Sequence, residues 1–186
     1  GWIVLWDPNA NDTKVWIKGQ LGGGVSTNNL ILNTNEAESN QFSAGLIYQP
    51  TGTTGWTPGP QTGTTVTGVN ATGATYTAFV WAPIPGYSAM GTYHGTGDSN
   101  DGSEHVKLGF RPAWVLIKAD HADSWLIYDS TFQDRNPMND VFQVNESEDS
   151  NTEFGNVNID FTATGFKVWG INGNMGSGKH YYVAFA

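Results

Sequence analysis

Short apolar runs separated by turn-forming residues are the feature of this sequence that most constrains its fold. Each run has the length of a β-strand, and Gly, Asn, Asp or Pro lies between most neighbouring runs, which is the chemistry of tight turns. The runs lie at residues 2–6, 14–18, 30–32, 45–49, 75–81, 114–118, 125–128, 140–144, 157–161, 166–170 and 180–185. No stretch repeats apolar residues with the period of an α-helix. The pattern therefore predicts an all-β protein, almost without helix, built of antiparallel β-sandwich modules of jelly-roll type.

The composition indicates a packed protein without affinity for nucleic acid. Aromatic residues make up 13% of the 186 residues and include eight tryptophans, more than a disordered chain carries. Lysine and arginine total 8 against 17 acidic residues, so the net charge is −9 and no basic surface is available for phosphates. The sequence has no cysteine, which excludes disulfides and thiolate chemistry. No apolar run approaches the roughly 18 residues that cross a bilayer, so no membrane insertion is expected.

Three stretches of the first half recur in the same order in the second half. The aligned pairs are residues 2–7 with 124–129, 30–38 with 140–148, and 75–79 with 181–185. We therefore predict an internal duplication, with a diverged, N-terminally truncated repeat at 1–86 and a complete repeat at 87–186. The Pro-Ile-Pro-Gly stretch at 83–86 is the expected joint, because proline fixes its own backbone and restricts the preceding residue.

The second repeat contains segments at 91–97 and 109–118 that have no counterpart in this alignment. The first repeat thus begins directly in a strand, and its sheet is expected to have an unpaired assembly edge at Trp2, Ile3, Val4 and Leu5. An exposed edge strand promotes association, and few lysines are available to block it. We expect upstream residues or another copy of the chain to cover this edge, and the protein to be a homo-oligomer.

The strand at 75–81 is unusual because apolar residues occupy both of its faces. Tyr76, Ala78 and Val80 alternate with Thr75, Thr77 and Phe79. Such a strand is either buried on both sides or has one face against a neighbouring subunit.

The second half resembles a family of β-rich repeats in structural proteins of tailed bacteriophages, many of them marine. The likeness rests on the order of these motifs: Gly-Thr-Tyr at 91–93, Gly-Phe-Arg-Pro-Ala-Trp-Val-Leu-Ile-Lys at 109–118, Trp-Leu-Ile-Tyr-Asp at 125–129, Asn-Pro at 136–137, Asn-Glu at 145–146, Ile-Asp-Phe at 159–161, Gly-Phe-Lys at 165–167, and the C-terminal Tyr-Tyr-Val-Ala-Phe-Ala. The resemblance implies an all-β module displayed on a virion, in a head decoration or a tail fibre. It brings no catalytic residues.

An acidic loop is the main candidate metal site in the sequence. Asp98, Asp101 and Glu104 supply the oxygen ligands that Ca²⁺ prefers, although their spacing differs from an EF-hand and a glycine-rich acidic turn needs no ion. A weaker cluster comprises Glu146, Glu148 and Asp149. The four histidines show no spacing typical of a transition-metal site.

Paired glutamates and one loop tryptophan are further candidates for functional residues. The pairs Glu36 with Glu38 and Glu146 with Glu148 follow strands, and the side-by-side arrangement suits a solvated turn better than the facing carboxylates of a glycosidase. Trp56 lies in a loop rich in Thr, Gly and Pro, where a core position is hard to arrange, so it is a candidate ligand or interface residue.

Taken with the resemblance, these features predict a non-enzymatic structural protein on the surface of a tailed-phage virion. Its expected partners are copies of itself and other virion proteins. The alternative is a carbohydrate-binding module, in a tail fibre that contacts a host-surface glycan or in a secreted protein. A glycan-degrading enzyme would need facing carboxylates in a groove, for which the sequence offers no pattern.

Overall fold

The computed structural model describes residues 2–6, 13–17, 30–38, 47–48, 57–58, 73, 75–97, 105–144, 151–152, 157–170 and 176–186. These residues form strands and turns, and the strand pairs are antiparallel, so the all-β prediction is confirmed. No helix that could span a membrane is present in this part of the chain. The chain divides into two compact units, Gly1–Trp81 and Ala82–Ala186.

The first unit contains a four-stranded antiparallel sheet. Its strands are β1 (Trp2–Trp6), β2 (Thr13–Ile17), β3 (Leu30–Ile31) and β6 (Thr77–Trp81), and a separate pair joins β4 (Ile47–Tyr48) to β5 (Thr57–Pro58). The order across the sheet is β3, β2, β1, β6. Trp2, Ile3 and Val4 of β1 are all buried, so this inner strand is covered on both faces, as its continuous apolar sequence requires.

The second unit contains a six-stranded sheet and a three-stranded sheet. The larger sheet comprises, in spatial order, β12 (Asn151–Thr152), β11 (Asp140–Gln143), β10 (Leu126–Asp129), β9 (Trp114–Ala119), β15 (Ser177–Phe185) and β7 (Ser88–Thr96). The smaller sheet comprises β13 (Val157–Thr162), β14 (Gly165–Gly170) and β8 (His105–Lys107).

Side chains from both sheets of the second unit form one buried core. The Phe166 ring of β14 meets Tyr93 of β7 and Tyr182 of β15 edge-on, with centroid distances of 6.0 and 5.4 Å. The Tyr128 hydroxyl of β10 donates a hydrogen bond to the Val157 carbonyl of β13 at 3.1 Å. This packing of two antiparallel sheets over an apolar core is the arrangement of a β-sandwich. Jelly-roll connectivity stays a prediction.

The segment between the units is attached to the second one. Ile84 and Ser88 form an isolated β-bridge, and the Ser88 hydroxyl donates to the carbonyl of Ala82 at 3.0 Å. The division between units therefore falls before the Pro-Ile-Pro-Gly stretch, at 81/82, rather than after it at 86/87.

The two units share a strand order, but it differs from the order that the sequence alignment implies. In the first unit β1 lies between β2 and β6, and β3 lies beside β2. In the second unit β9 lies between β10 and β15, and β11 lies beside β10. The register agrees: Trp2 faces Ile17 and Trp81, as Trp114 faces Asp129 and Phe185. Here β1 corresponds to β9, so the alignment of residues 2–7 with 124–129 is wrong. Both are apolar runs that end in an aromatic residue and Asp, and such a local pattern reports burial rather than position in a sheet. The duplication itself stays a prediction.

The expected assembly edge at Trp2, Ile3, Val4 and Leu5 is also wrong. All four residues have a partner in β2 and a second partner in β6. β1 is therefore an inner strand, and the edge of the sheet on that side is β6.

Candidate functional site

The predicted site residues fall largely outside the part of the chain that the structure describes. This holds for Asp98, Asp101 and Glu104, for the weaker acidic cluster at 146–149, and for Trp56. Among the described residues, no group of three or more His, Asp or Glu side chains is arranged to hold a metal ion.

The Glu36 and Glu38 pair lies in the described segment that follows β3. Glu36 is exposed, and its backbone N–H donates to the Thr34 hydroxyl at 3.4 Å. Glu38 is half-buried. The two residues follow each other along the same short segment, an arrangement that suits a turn better than facing catalytic carboxylates.

The outer side of β6, which we term the β6 edge, is the principal surface feature of the first unit. One side of β6 pairs with β1 along all five residues, from Thr77 opposite Trp6 to Trp81 opposite Trp2. The other side pairs with no strand among the described residues. Alternate backbone N–H and C=O groups of an edge strand point away from the sheet, so this side can accept a further strand.

The side chains at the β6 edge are apolar and exposed. Phe79 is 47% exposed, Val80 57% and Trp81 37%, and the Phe79 and Trp81 rings stack at a centroid distance of 6.1 Å. The strand carries no charged residue and no proline. Native edges are commonly blunted by lysine, proline or a bulge, and β6 has neither of the first two.

Both faces of the sheet contribute apolar surface next to this edge. Side chains directly opposite each other on paired strands share a face. Phe79 and Trp81 therefore share a face with Val4, Trp2 and Trp6, and Trp6 is 45% exposed. Val80 lies on the opposite face. The only sequence signal for this surface is the apolar character of both faces of residues 75–81.

The equivalent position in the second unit is occupied. There β15, which corresponds to β6, pairs with β9 on one side and with β7 on the other. The β15–β7 ladder extends from Ser177 opposite Thr96 to Phe185 opposite Ser88. β6 thus lacks, among the described residues, the outer antiparallel strand that its counterpart has.

A polar cluster at the end of β9 was not apparent from the sequence. The Lys118 side chain is fully buried, and its ammonium group donates to the carbonyls of Ala119 and His121 at 2.8 Å each. Burial lowers the pKa of Lys118 to about 8, and the nearby Asp123 and Asp120 carboxylates oppose this shift.

Two histidines meet at this cluster although they are far apart in the sequence. The rings of His121 and His180 lie 6.3 Å apart, and His180 stacks on Tyr93 at 4.9 Å. The His121 Nδ1 atom lies 3.4 Å from an Asp120 carboxylate oxygen. Because Lys118 is enclosed and bonded to main-chain carbonyls, the cluster is suited to closing the turn after β9 rather than to contacting a ligand.

A second exposed aromatic group lies on the loop after β10. Phe132 is 48% exposed and packs against Phe142 of β11, with ring centroids 4.6 Å apart. The neighbouring Gln133 side chain is buried; its carbonyl oxygen accepts the backbone N–H groups of Asn139 and Asp140, and its amide donates to both of their side chains. These four hydrogen bonds fix the loop, so Phe132 is held in position rather than collapsed onto the core.

A model of the family described as a domain of unknown function, DUF7483, matches residues 3–186. No curated protein and no solved structure matches the chain.

Proposed function

Because the chain belongs to the DUF7483 family, which is described only as a domain of unknown function, we propose a function from the geometry: the protein is a non-enzymatic structural component of a tailed-phage particle. It lies at the outer surface, in a head decoration or a fibre, and packs permanently against neighbouring subunits. The likeness of residues 91–186 to virion repeats supplies the setting of this proposal.

The β6 edge is the observation that carries the proposal. It combines backbone groups that pair with no strand among the described residues with exposed Phe79, Val80 and Trp81, and it lacks the charges that keep an edge solvated. A protein that remains a monomer gains nothing from such an edge and is exposed to aggregation through it. A protein built into an assembly buries it.

Imaging of intact particles tests the proposed function. An antibody raised against this 186-residue chain, labelled with gold, is applied to purified particles of a tailed phage that encodes it. We expect label at one class of site on every particle, and no label after the antibody is preincubated with the purified chain. Particles that contain no trace of the chain by label and by mass spectrometry would contradict a structural role.

Carbohydrate binding is the second candidate, and the Phe132 loop favours it. An exposed aromatic ring on a fixed loop can stack on the apolar face of a sugar, and Thr131 and Arg135 beside it are exposed polar groups. A glycan array tests this candidate. Binding that is lost in Phe132→Ala and retained in Tyr87→Ala, another exposed aromatic residue, would support it, and an array without binding would reject it.

A further inference from the structure

We infer that a second copy of this chain covers the β6 edge, with the two β6 strands paired antiparallel about a two-fold axis. The inference rests on the proposed function, since it names the neighbour that an assembly protein would bury at this edge. This pairing does not require any strand of the sheet to be displaced. The four-stranded sheets of two copies would join into one continuous antiparallel sheet.

The kind of strand that fits here follows from the second unit. At the corresponding edge of β15, the strand β7 is antiparallel and runs the whole length of its neighbour. β6 is likewise antiparallel to β1, so an antiparallel addition continues the pattern of the sheet. A β6 strand from another copy satisfies this requirement.

The sequence of β6 is compatible with pairing against itself. A two-fold axis through Phe79 places Phe79 opposite its own copy, Ala78 opposite Val80, and Thr77 opposite Trp81. Two of these pairs join a small side chain to a large one, and the central pair is aromatic, which suits cross-strand packing. No charge faces a like charge at this contact, although each copy carries a net charge of −9.

The two copies would also extend an apolar surface on one face of the joined sheet. Phe79 and Trp81 of each copy lie on the same face as Trp6. A two-fold axis perpendicular to the sheet keeps these residues on one side, so the exposed aromatic groups of both copies become neighbours. Burial of this surface adds to the backbone hydrogen bonds formed between the strands.

Single cysteines test the pairing, because the chain has none of its own. In Phe79→Cys, the two thiols face each other across the axis at the separation of directly opposed residues, which lies within the range of a disulfide. In Val80→Cys, the same thiol is displaced diagonally by two residues and lies beyond that range. Both positions are exposed, so both variants are expected to fold. We expect mild oxidation to cross-link Phe79→Cys into a dimer and to leave Val80→Cys largely monomeric.

Sedimentation equilibrium of the full chain provides the second measurement. We expect a monomer–dimer equilibrium that Val80→Lys weakens by at least about tenfold, because two added charges meet at the shared edge. Tyr87→Lys, at a comparably exposed site in the other unit, should leave the equilibrium unchanged.

Three results would overturn the inference: a wild-type chain that stays monomeric up to its solubility limit, a dimer insensitive to Val80→Lys, or preferential cross-linking of Val80→Cys. A monomer whose antibody still labels phage particles would show that another virion protein covers the edge, so the inference would fail while the proposed function stood. Conversely, if the chain dimerised through β6 but were absent from phage particles, the inference would stand and the proposed function would fail.

Discussion

Individual residues of the second unit have structural roles that the motifs alone do not reveal. Gly165 opens the Gly-Phe-Lys stretch, and a Cβ atom placed there would lie 1.9 Å from the Val106 carbonyl oxygen of the neighbouring strand. A Cβ atom at Gly91 would lie 2.6 Å from the hydroxyl oxygen and 2.9 Å from ring carbons of Tyr182, its cross-strand partner. Arg111 and Asn136 both hydrogen-bond the backbone of Phe161. These residues hold strands and loops at their observed spacing.

Gly165→Ala is expected to destabilise the second unit by about 2 to 3 kcal/mol, because the added methyl group meets main-chain atoms that a side-chain rotation cannot move. Gly86→Ala is the matched control. Gly86 has a φ of 76° but open space around it, so this change should cost about 1 kcal/mol, from backbone strain alone. Urea unfolding of both variants gives the comparison. Equal losses would show that β8 and β14 move apart freely.

Lys118 predicts a rise in stability between pH 8 and about 10. Its folded pKa of about 8 lies below the ordinary value of 10.5, so the unfolded chain binds more protons in this window and the free energy of unfolding increases with pH. Burial raises the pKa values of Tyr93, Tyr128 and Tyr182, and the stability that these groups contribute is lost as the pH rises beyond their unfolded value of about 10.

Thermal unfolding across this pH range checks the role of Lys118. Lys118→Met keeps most of the buried stem but has no titrating group, so the rise from pH 8 to 10 should disappear. Lys107→Met, at an exposed lysine, should retain it. A rise that persists in Lys118→Met would assign the effect to another group.

At the scale of the secondary-structure elements, the inner strand β9 and the edge strand β6 differ in how deeply their residues are buried. β9 has partners on both sides, and the residues that follow Trp114 in it are buried on both faces. β6 occupies the position that corresponds to β15, which is an inner strand, yet every residue of β6 is exposed. A polar sequence does not explain this exposure, since four of the five residues of β6 are apolar. Within the described part of the chain, β6 lacks the outer strand with which β15 pairs.

The two sheets of the second unit are joined by the hydrogen bond from Tyr128 to Val157. Tyr128→Phe leaves that buried carbonyl without this donor, and we expect a loss of about 1 kcal/mol in the free energy of unfolding. Tyr87→Phe removes a hydroxyl from a ring that is largely exposed and should change stability by less than about 0.5 kcal/mol. If both variants were equally stable, the bond between the sheets would contribute nothing measurable.

At the scale of the whole molecule, the second unit has the parts of an independent domain. Its core draws on both of its sheets, and the chain end is held within it because the Ala186 N–H donates to the Tyr87 carbonyl at 2.8 Å. Its first residues belong to it as well, through the Ile84–Ser88 bridge. Residues 82–186 therefore satisfy the packing and hydrogen bonding of this unit.

A fragment of residues 82–186 is expected to fold alone, with a cooperative thermal transition and the near-ultraviolet dichroism of a buried Trp125. A fragment of residues 87–186 should be less stable by about 1 kcal/mol or more, because buried Ser88 loses its bonds to Ile84 and Ala82. Calorimetry of the two fragments separates these outcomes. A longer fragment that fails to fold would contradict the autonomy of the unit.

The all-β class could be predicted from the sequence because its signals are local: strand-length apolar runs, turn residues between them and no helical period. The apolar character of β6 was visible in the same way. The order of the strands could not be predicted in this way. Residues 2–6 pair on one side with residues 77–81, which are far along the chain, and on the other side with residues 13–17. An apolar run such as Trp2–Trp6 indicates that the strand is buried, but it does not indicate which strands lie beside it. For this reason the sequence places the open edge at β1, whereas the structure has it at β6. The meeting of His121 with His180 arises because the pairing of β9 with β15 places His180 opposite Ala119, and only the tertiary structure decides such a contact.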